Sequence, residues 1–382
     1  MSKENFIIGQ TFSKLSKMAM IAIASMFIVF VACNKPKNRI VQTQELEQLN
    51  ITVINETPAL PVNQQISGTC WAFSTASFLE SEIYRTKGSF VQLSPMYFVY
   101  NAYLLKAQNY ILRQGTARFS EGGCNYDPLV NIDIVGLLPQ EAYSGIVDGN
   151  TDHRKMFTEL TSRVTEFANP GNKLGRAWRE EIPAILDKHL GKPTDVFSYK
   201  GTNYTSSDFW EYCGLKTEDY INITSFMHAP YDRFLILEIP ANWSNSSYFN
   251  VSLDEYMENI DHALETGFSL AIDMDLSEPG LSVRQGFAVL QPDIVITPEK
   301  RQADFEDFST TDDHNMHLVG KVKDQHGNIY YKCKNSWGKS FGLDGHYYLS
   351  LSFLKSKSIY VMLHKDGLTE STRKKYHELI NN

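Results

Sequence analysis

From Cys70 onward apolar residues recur with the period of a helix. Ala72, Ala76, Leu79 and Ile83 are spaced by four, three and four, and Gly88 follows as a stop, predicting a helix over 70–87. Ser94-Pro95 supplies an N-cap and a first-turn proline for a second helix. Two further helical patterns, His153 to Phe167 and Ala177 to Leu190, flank the turn-forming run Asn169-Pro170-Gly171-Asn172. From Asp232 the pattern changes, and Arg233 to Ile239, Phe268 to Met274, Leu318 to Val322, Ile329 to Lys334 and His346 to Leu349 read as strands. Helices first and strands later predict an α+β protein with a helical lobe, a β-barrel-like lobe and a cleft between them.

The start of the chain follows a different pattern. Lys3, Lys14 and Lys17 precede an uncharged run from Met18 to Ala32, too short for a comfortable membrane span but suited to a secretory signal. Cys33 directly after Ala32 resembles a bacterial lipoprotein signal, in which that cysteine is acylated; Phe30 departs from the leucine usual three positions before it. The expected organisation is a signal peptide over 1–32, a polar tether over 33–56, and one domain over 57–382. The expected location is the cell envelope of a bacterium, outside the cytoplasm and lipid-anchored through Cys33, with an uncleaved anchor or a plain secretory signal as alternatives.

Charge narrows the partners. Loss of the first 32 residues removes three lysines and one glutamate, so the formal charge moves from −8 to −10. An acidic chain without a basic cluster does not suit nucleic acid or electrostatic attachment to anionic lipid. The domain over 57–382 has about 325 residues, enough to bury a full core. The sequence holds no Cys-x-x-Cys, His-Glu-x-x-His or glycine-rich phosphate loop, so neither a metal nor a nucleotide cofactor is implied. Cys124, Cys213 and Cys333 are expected as buried free thiols.

The candidate chemistry lies in three separated blocks. In Asn63-Gln64-Gln65-Ile66-Ser67-Gly68-Thr69-Cys70-Trp71-Ala72-Phe73, a thiol opens a helix, where unpaired N–H groups and the helix dipole favour the thiolate. Gly68 lets a backbone approach closely, and the Gln64 amide is placed to donate to an oxyanion beside the Cys70 N–H. The second block holds His314 and His317, three apart on a strand and therefore on opposite faces, so only one can meet Cys70. The third is Asn335-Ser336-Trp337-Gly338.

Cysteine, histidine and asparagine in this order, with Gly320 six residues after His314, resemble the papain-like cysteine peptidases. The resemblance implies Cys70 as nucleophile, His314 as base, Asn335 as its orienter, Gln64 in the oxyanion hole, and Trp337 covering the Asn–His hydrogen bond. His314 lies 244 residues after Cys70, about 100 more than the papain spacing. That long insertion, about 145–250, with Ser67 three before the nucleophile and the block Glu121-Gly122-Gly123-Cys124-Asn125-Tyr126-Asp127, is similar to the bleomycin hydrolase and aminopeptidase C branch. The similarity implies substrate contacts at Gly68, Gly122, Gly123 and Trp337, with a peptide or protein as substrate. In that branch a C-terminal arm places its carboxylate in the cleft and restricts the enzyme to free amino termini. Here the match runs out near Leu368-Thr369-Glu370. Endopeptidase cleavage in an open cleft is therefore a rival reading, the branch's hexameric cage is left open, and a non-catalytic peptide-binding surface lipoprotein is the alternative from another class.

Overall fold

The computed structural model describes residues 50–381 apart from 66, 151, 278–280, 283–284 and 291–293. The signal segment, Cys33 and residues 34–49 of the tether lie outside the described residues. The tether reading is too long at its C-terminal end. Thr52–Glu56 forms a strand, β1, that pairs antiparallel with residues 320–323. Threonine, valine and isoleucine in succession favour the pleated conformation, and here that outweighs the polar neighbours.

Helix α1 (Cys70–Lys87) is stopped by Gly88 in the left-handed conformation, φ 69°, its N–H bonding Tyr84 O. Buried residues surround α1, including Trp71, Phe78, Leu79 and Ile83, so this is an interior helix. Helix α2 (Pro95–Leu112) begins as predicted, with the Ser94 hydroxyl accepting from the Tyr97 N–H. Helices α3 (Arg154–Ala168) and α4 (Trp178–Leu190), the hairpin β2 (Phe197–Tyr199) with β3 (Thr202–Tyr204), and α5 (Ser206–Cys213) join them around one apolar core.

The remaining strands are β4 (Tyr220–Thr224), β5 (Arg233–Ile236), β6 (Ser247–Asn250), β7 (Leu270–Met274), β8 (Leu281–Ser282), β9 (Phe287–Ala288), β10 (His314–Lys323), β11 (Ile329–Lys334), β12 (His346–Ser350) and β13 (Ser358–His364). They form one mixed sheet in the order β5-β6-β4-β13-β7-β10-β11-β12-β9-β8, with β1 added on β10. With helix α6 (Leu253–Glu265) and the C-terminal α7 (Glu370–Ile380), this sheet encloses a second core. The last part of the insertion belongs here, because β4 pairs with β13. The α+β reading holds, with the strands of the second lobe in one mixed sheet. The insertion is no separate body: its first half enlarges the helical core and its end enlarges the sheet.

Gly320 has a packing reason. A Cβ there would lie 2.3 Å from Asn55 O and 2.9 Å from Glu56 Cα, because β1 runs beside it with Glu56 paired to Gly320 past an irregularity between Val53 and Asn55. Helix α1 packs on β10 and β7, bringing the helical core against the strands that carry the histidines.

Candidate active site

Cys70 is the first residue of α1 and is 8% exposed. Thr69 precedes it without a side-chain cap. Among the described residues, Cys70 Sγ is bonded to Asn315 rather than to His314: the Asn315 carboxamide Nδ2 donates at 3.9 Å. Burial pushes the Cys70 thiol up, against the lowering pull of the Asn315 backbone N–H, its carboxamide and the Trp71 N–H. At Cys70, desolvation therefore outweighs the helix-start effect expected from sequence.

His314 opens β10, and its ring meets the third block. His314 Nε2–H donates to Asn335 Oδ1 at 2.7 Å, which leaves Nδ1 as the acceptor nitrogen. Asn335 Oδ1 also accepts the Ser336 N–H at 2.8 Å, so its amide is fixed from two sides. The Trp337 ring stands 4.5 Å from the imidazole at 42°. Burial holds the imidazole below its usual value, partly opposed by the Asn335 bond and by Asp313. His317, by contrast, turns to the α1 interface, where Ser77 Oγ bonds its Nδ1 at 2.8 Å.

Gln64 is exposed, and its loop is stitched to the Asn335 loop. Gln65 N–H donates to Ser336 O at 2.7 Å, Gly338 N–H to Asn63 O at 3.0 Å, and Gln64 bridges to Trp337. Gly338 adopts φ +83°, with the Gln64 side chain 3.5 Å from where a Cβ would stand. Gly68 N–H donates to Glu121 Oε2 at 3.1 Å, tying the nucleophile loop to the double-glycine loop. At Gly123 a Cβ would meet Asp127 Oδ2 at 2.4 Å and the Trp71 ring at 3.1 Å, which leaves no room for any other residue.

A family comparison covers nearly the whole chain. The model of the peptidase C1-like family matches residues 10–381. The chain belongs to that family. It is a cysteine peptidase with the papain-like α+β fold. It is similar to aminopeptidase C of Lactococcus lactis subsp. lactis, 23% identical over 365 residues covering 83% of each chain. Aminopeptidase C of Listeria monocytogenes is 22% identical over 362 residues, covering 81% of this chain and 80% of that one. The crystal structure of PepW from Lactobacillus rhamnosis superposes with a TM-score of 0.70 at 18% identity, covering 87% of this chain and 86% of the other.

Several residues support the peptidase site in ways that the sequence pattern does not show. Buried Lys106 donates to the carbonyls of Ser120 and, at 2.5 Å, of Gly122, holding the double-glycine loop from beneath. Asp127 accepts from the Cys124 N–H at 2.9 Å and from Trp243 Nε1 at 2.6 Å. Burial lowers Lys106 to about 8 and raises Asp127 to about 6. The spacing of Lys106 on α2 shows only a polar residue in an apolar stripe, a weak signal. A second buried pair lies under the histidines. Lys334 Nζ donates to Ser77 Oγ at 2.8 Å, and Glu80 accepts the Leu93 N–H at 2.9 Å. Burial raises Glu80 to about 7, with Lys334 opposing it.

Cys70, Cys124, Cys213 and Cys333 are unpaired and buried, and Cys333 packs in the strand core. Among the described residues no group of three or more His, Cys, Asp or Glu side chains is placed to share a metal ion, and no helix is long and apolar enough to cross a membrane.

Proposed function

We propose that this peptidase hydrolyses peptide bonds through Cys70, His314 and Asn335, with the specificity of an aminopeptidase of the C type. The observation that carries the reading is the 2.7 Å bond from His314 Nε2 to Asn335 Oδ1, with Cys70 lodged against the residue after His314. His314 Nδ1 takes the thiol proton as Sγ attacks the substrate carbonyl. The oxyanion is held by the Cys70 N–H and the Gln64 amide, His314 returns the proton to the leaving amine, and water then hydrolyses the thioester. Gly68, Gly122 and Gly123 line the path of the substrate backbone.

Support for the aminopeptidase specificity is the likeness to two aminopeptidases C along four-fifths of the chain. One observation favours the endopeptidase reading instead. Helix α7 is committed to the strand lobe, where Lys375 bonds Asp232 at 3.0 Å and Tyr376 and Leu379 join the second core. Fluorogenic dipeptides with a free amine are expected to be cleaved at least tenfold faster than their N-acetylated forms, because specific capture of one charged group is worth more than about 1.4 kcal/mol. Faster cleavage of the blocked substrates would replace the aminopeptidase reading by the endopeptidase one.

We also place the enzyme in the bacterial cell envelope, anchored by lipid on Cys33. The support is the lysine-led apolar run that ends at Ala32-Cys33. Cells expressing the full chain are expected to incorporate labelled palmitate into it, and Cys33→Ala should abolish the label; retained label would overturn the anchor.

A further inference from the structure

The sulfur of Cys70 has a neighbour that no motif singles out. Asn315 follows His314 on β10, is 3% exposed, and pairs across the sheet with Asp273 of β7. Its Nδ2 stands 3.9 Å from Cys70 Sγ and 3.4 Å from Gly123 O. The carbonyl fixes the amide's orientation. Since Gly123 O can only accept, the group facing it is the NH2, and Oδ1 must point away. There it meets the Tyr360 hydroxyl at 3.2 Å, the nearer of that hydroxyl's two acceptors; the other is Asn125 Oδ1 at 3.4 Å. Tyr360 in turn receives the Asn125 N–H at 2.8 Å. Donors therefore run in one direction, from the Asn125 backbone through Tyr360 and Asn315 to the sulfur. Bonds aligned in this way polarise one another.

We infer that Asn315 is a further catalytic residue of this peptidase, a carboxamide that donates to the Cys70 sulfur and holds it as the thiolate during attack, with Tyr360 as its positioning residue. The inference rests on Cys70 being the nucleophile. The reasoning is electrostatic. A buried thiol resists ionisation, and a donor aimed at the anion offsets part of that cost. The backbone N–H groups of Asn315 and Trp71 supply another part, and the other neighbouring side chains supply little. Asp313 on β10 opposes a negative sulfur, and so does Asp273 to the extent that it ionises, although burial favours its neutral form. Cys124 and Tyr248 are buried and held neutral at ordinary pH. His314 is bonded to Asn335 through Nε2, and Lys106 is engaged with the Ser120 and Gly122 carbonyls. Among the described residues the Asn315 carboxamide is thus the side-chain donor that bonds the sulfur.

The test is the pH profile of Cys70 alkylation by iodoacetamide in the full chain, with the site mapped by mass spectrometry. Wild type is compared with Asn315→Ala, Asn315→Asp and Tyr360→Phe. The alanine variant is expected to react about tenfold more slowly at pH 7, with its midpoint moved to higher pH, as loss of a donor to the anion requires. The aspartate variant keeps the shape of asparagine but sets a carboxylate against the sulfur, and should be slower still. Tyr360→Phe should move the midpoint in the same direction by less. If Asn315 only filled space, aspartate would be tolerated better than alanine; that order, or a Tyr360→Phe profile superimposed on wild type, overturns the inference. Tyr360→Phe keeps the test decisive should the Asn315 variants not fold. Failure of the nucleophile assignment looks different, since iodoacetamide would then label Cys70 in the wild type without loss of peptidase activity.

Discussion

Cys70→Ala is expected to lower kcat/KM for a peptide substrate by roughly 10⁴-fold or more, as removal of the nucleophile does in other acyl-transfer enzymes. Without the sulfur there is no thioester, and the variant retains only what the oxyanion donors and backbone contacts give to direct attack by water. The fold should survive, because alanine is the best helix former and Cys70 makes no disulfide. The measurement is steady-state hydrolysis with a melting curve beside it. A variant as active as wild type would remove Cys70 from the mechanism. A variant that also loses its melting transition would leave the kinetics to be read from covalent labelling of the wild-type thiol.

His314→Gln should cost nearly as much, roughly 10³- to 10⁴-fold, whereas His317→Gln should leave kcat/KM within about tenfold and lower stability by about 1–3 kcal/mol. The two imidazoles differ in what they touch. His314 is fixed by Asn335 with one nitrogen to spare, and His317 is spent on Ser77, which also receives Lys334. Burial holds His314 below the ordinary imidazole value and Cys70 above the ordinary thiol value. The sign follows: the base is competent while neutral, so activity is lost as pH falls through a pKa below about 6.5 and persists through neutral pH. A pH profile of kcat/KM for the wild type reads that limb, and its absence in the residual rate of His314→Gln assigns it. If His317→Gln suffers the larger kinetic loss, the base is His317.

Glu121 and Lys106 show how far spacing reaches. Each sits within a few residues of the double glycine or one helix earlier, yet nothing in the linear pattern links Glu121 to Gly68 or Lys106 to the Gly122 carbonyl. The helix starts were legible because capping and periodicity act over three or four residues: Ser94-Pro95 and the Ala72-to-Ile83 stripe needed no partner to be recognised. Strand ends were legible less well. β7 begins at Leu270 rather than Phe268, since the Phe268 N–H closes the end of α6 on Ala263 O. β5 ends at Ile236 because the chain turns before Pro240, with Ile239 N–H bonded to Leu237 O.

By itself the sequence determined the α+β class, the helices that open the first lobe, and the three blocks that hold a thiol, an imidazole and a carboxamide, because residue type and short-range period are written along the chain. Only the tertiary structure decided that β1 locks Gly320 and that the end of the insertion joins the main sheet; His314, which the family spacing singles out over His317, is the imidazole that bonds Asn335. The tertiary structure also decided that the sulfur lies against Asn315, 245 residues away, buried so that desolvation opposes the expected pull on its proton. Burial and long-range bonds are sums over neighbours from distant parts of the chain, and no local pattern encodes such a sum.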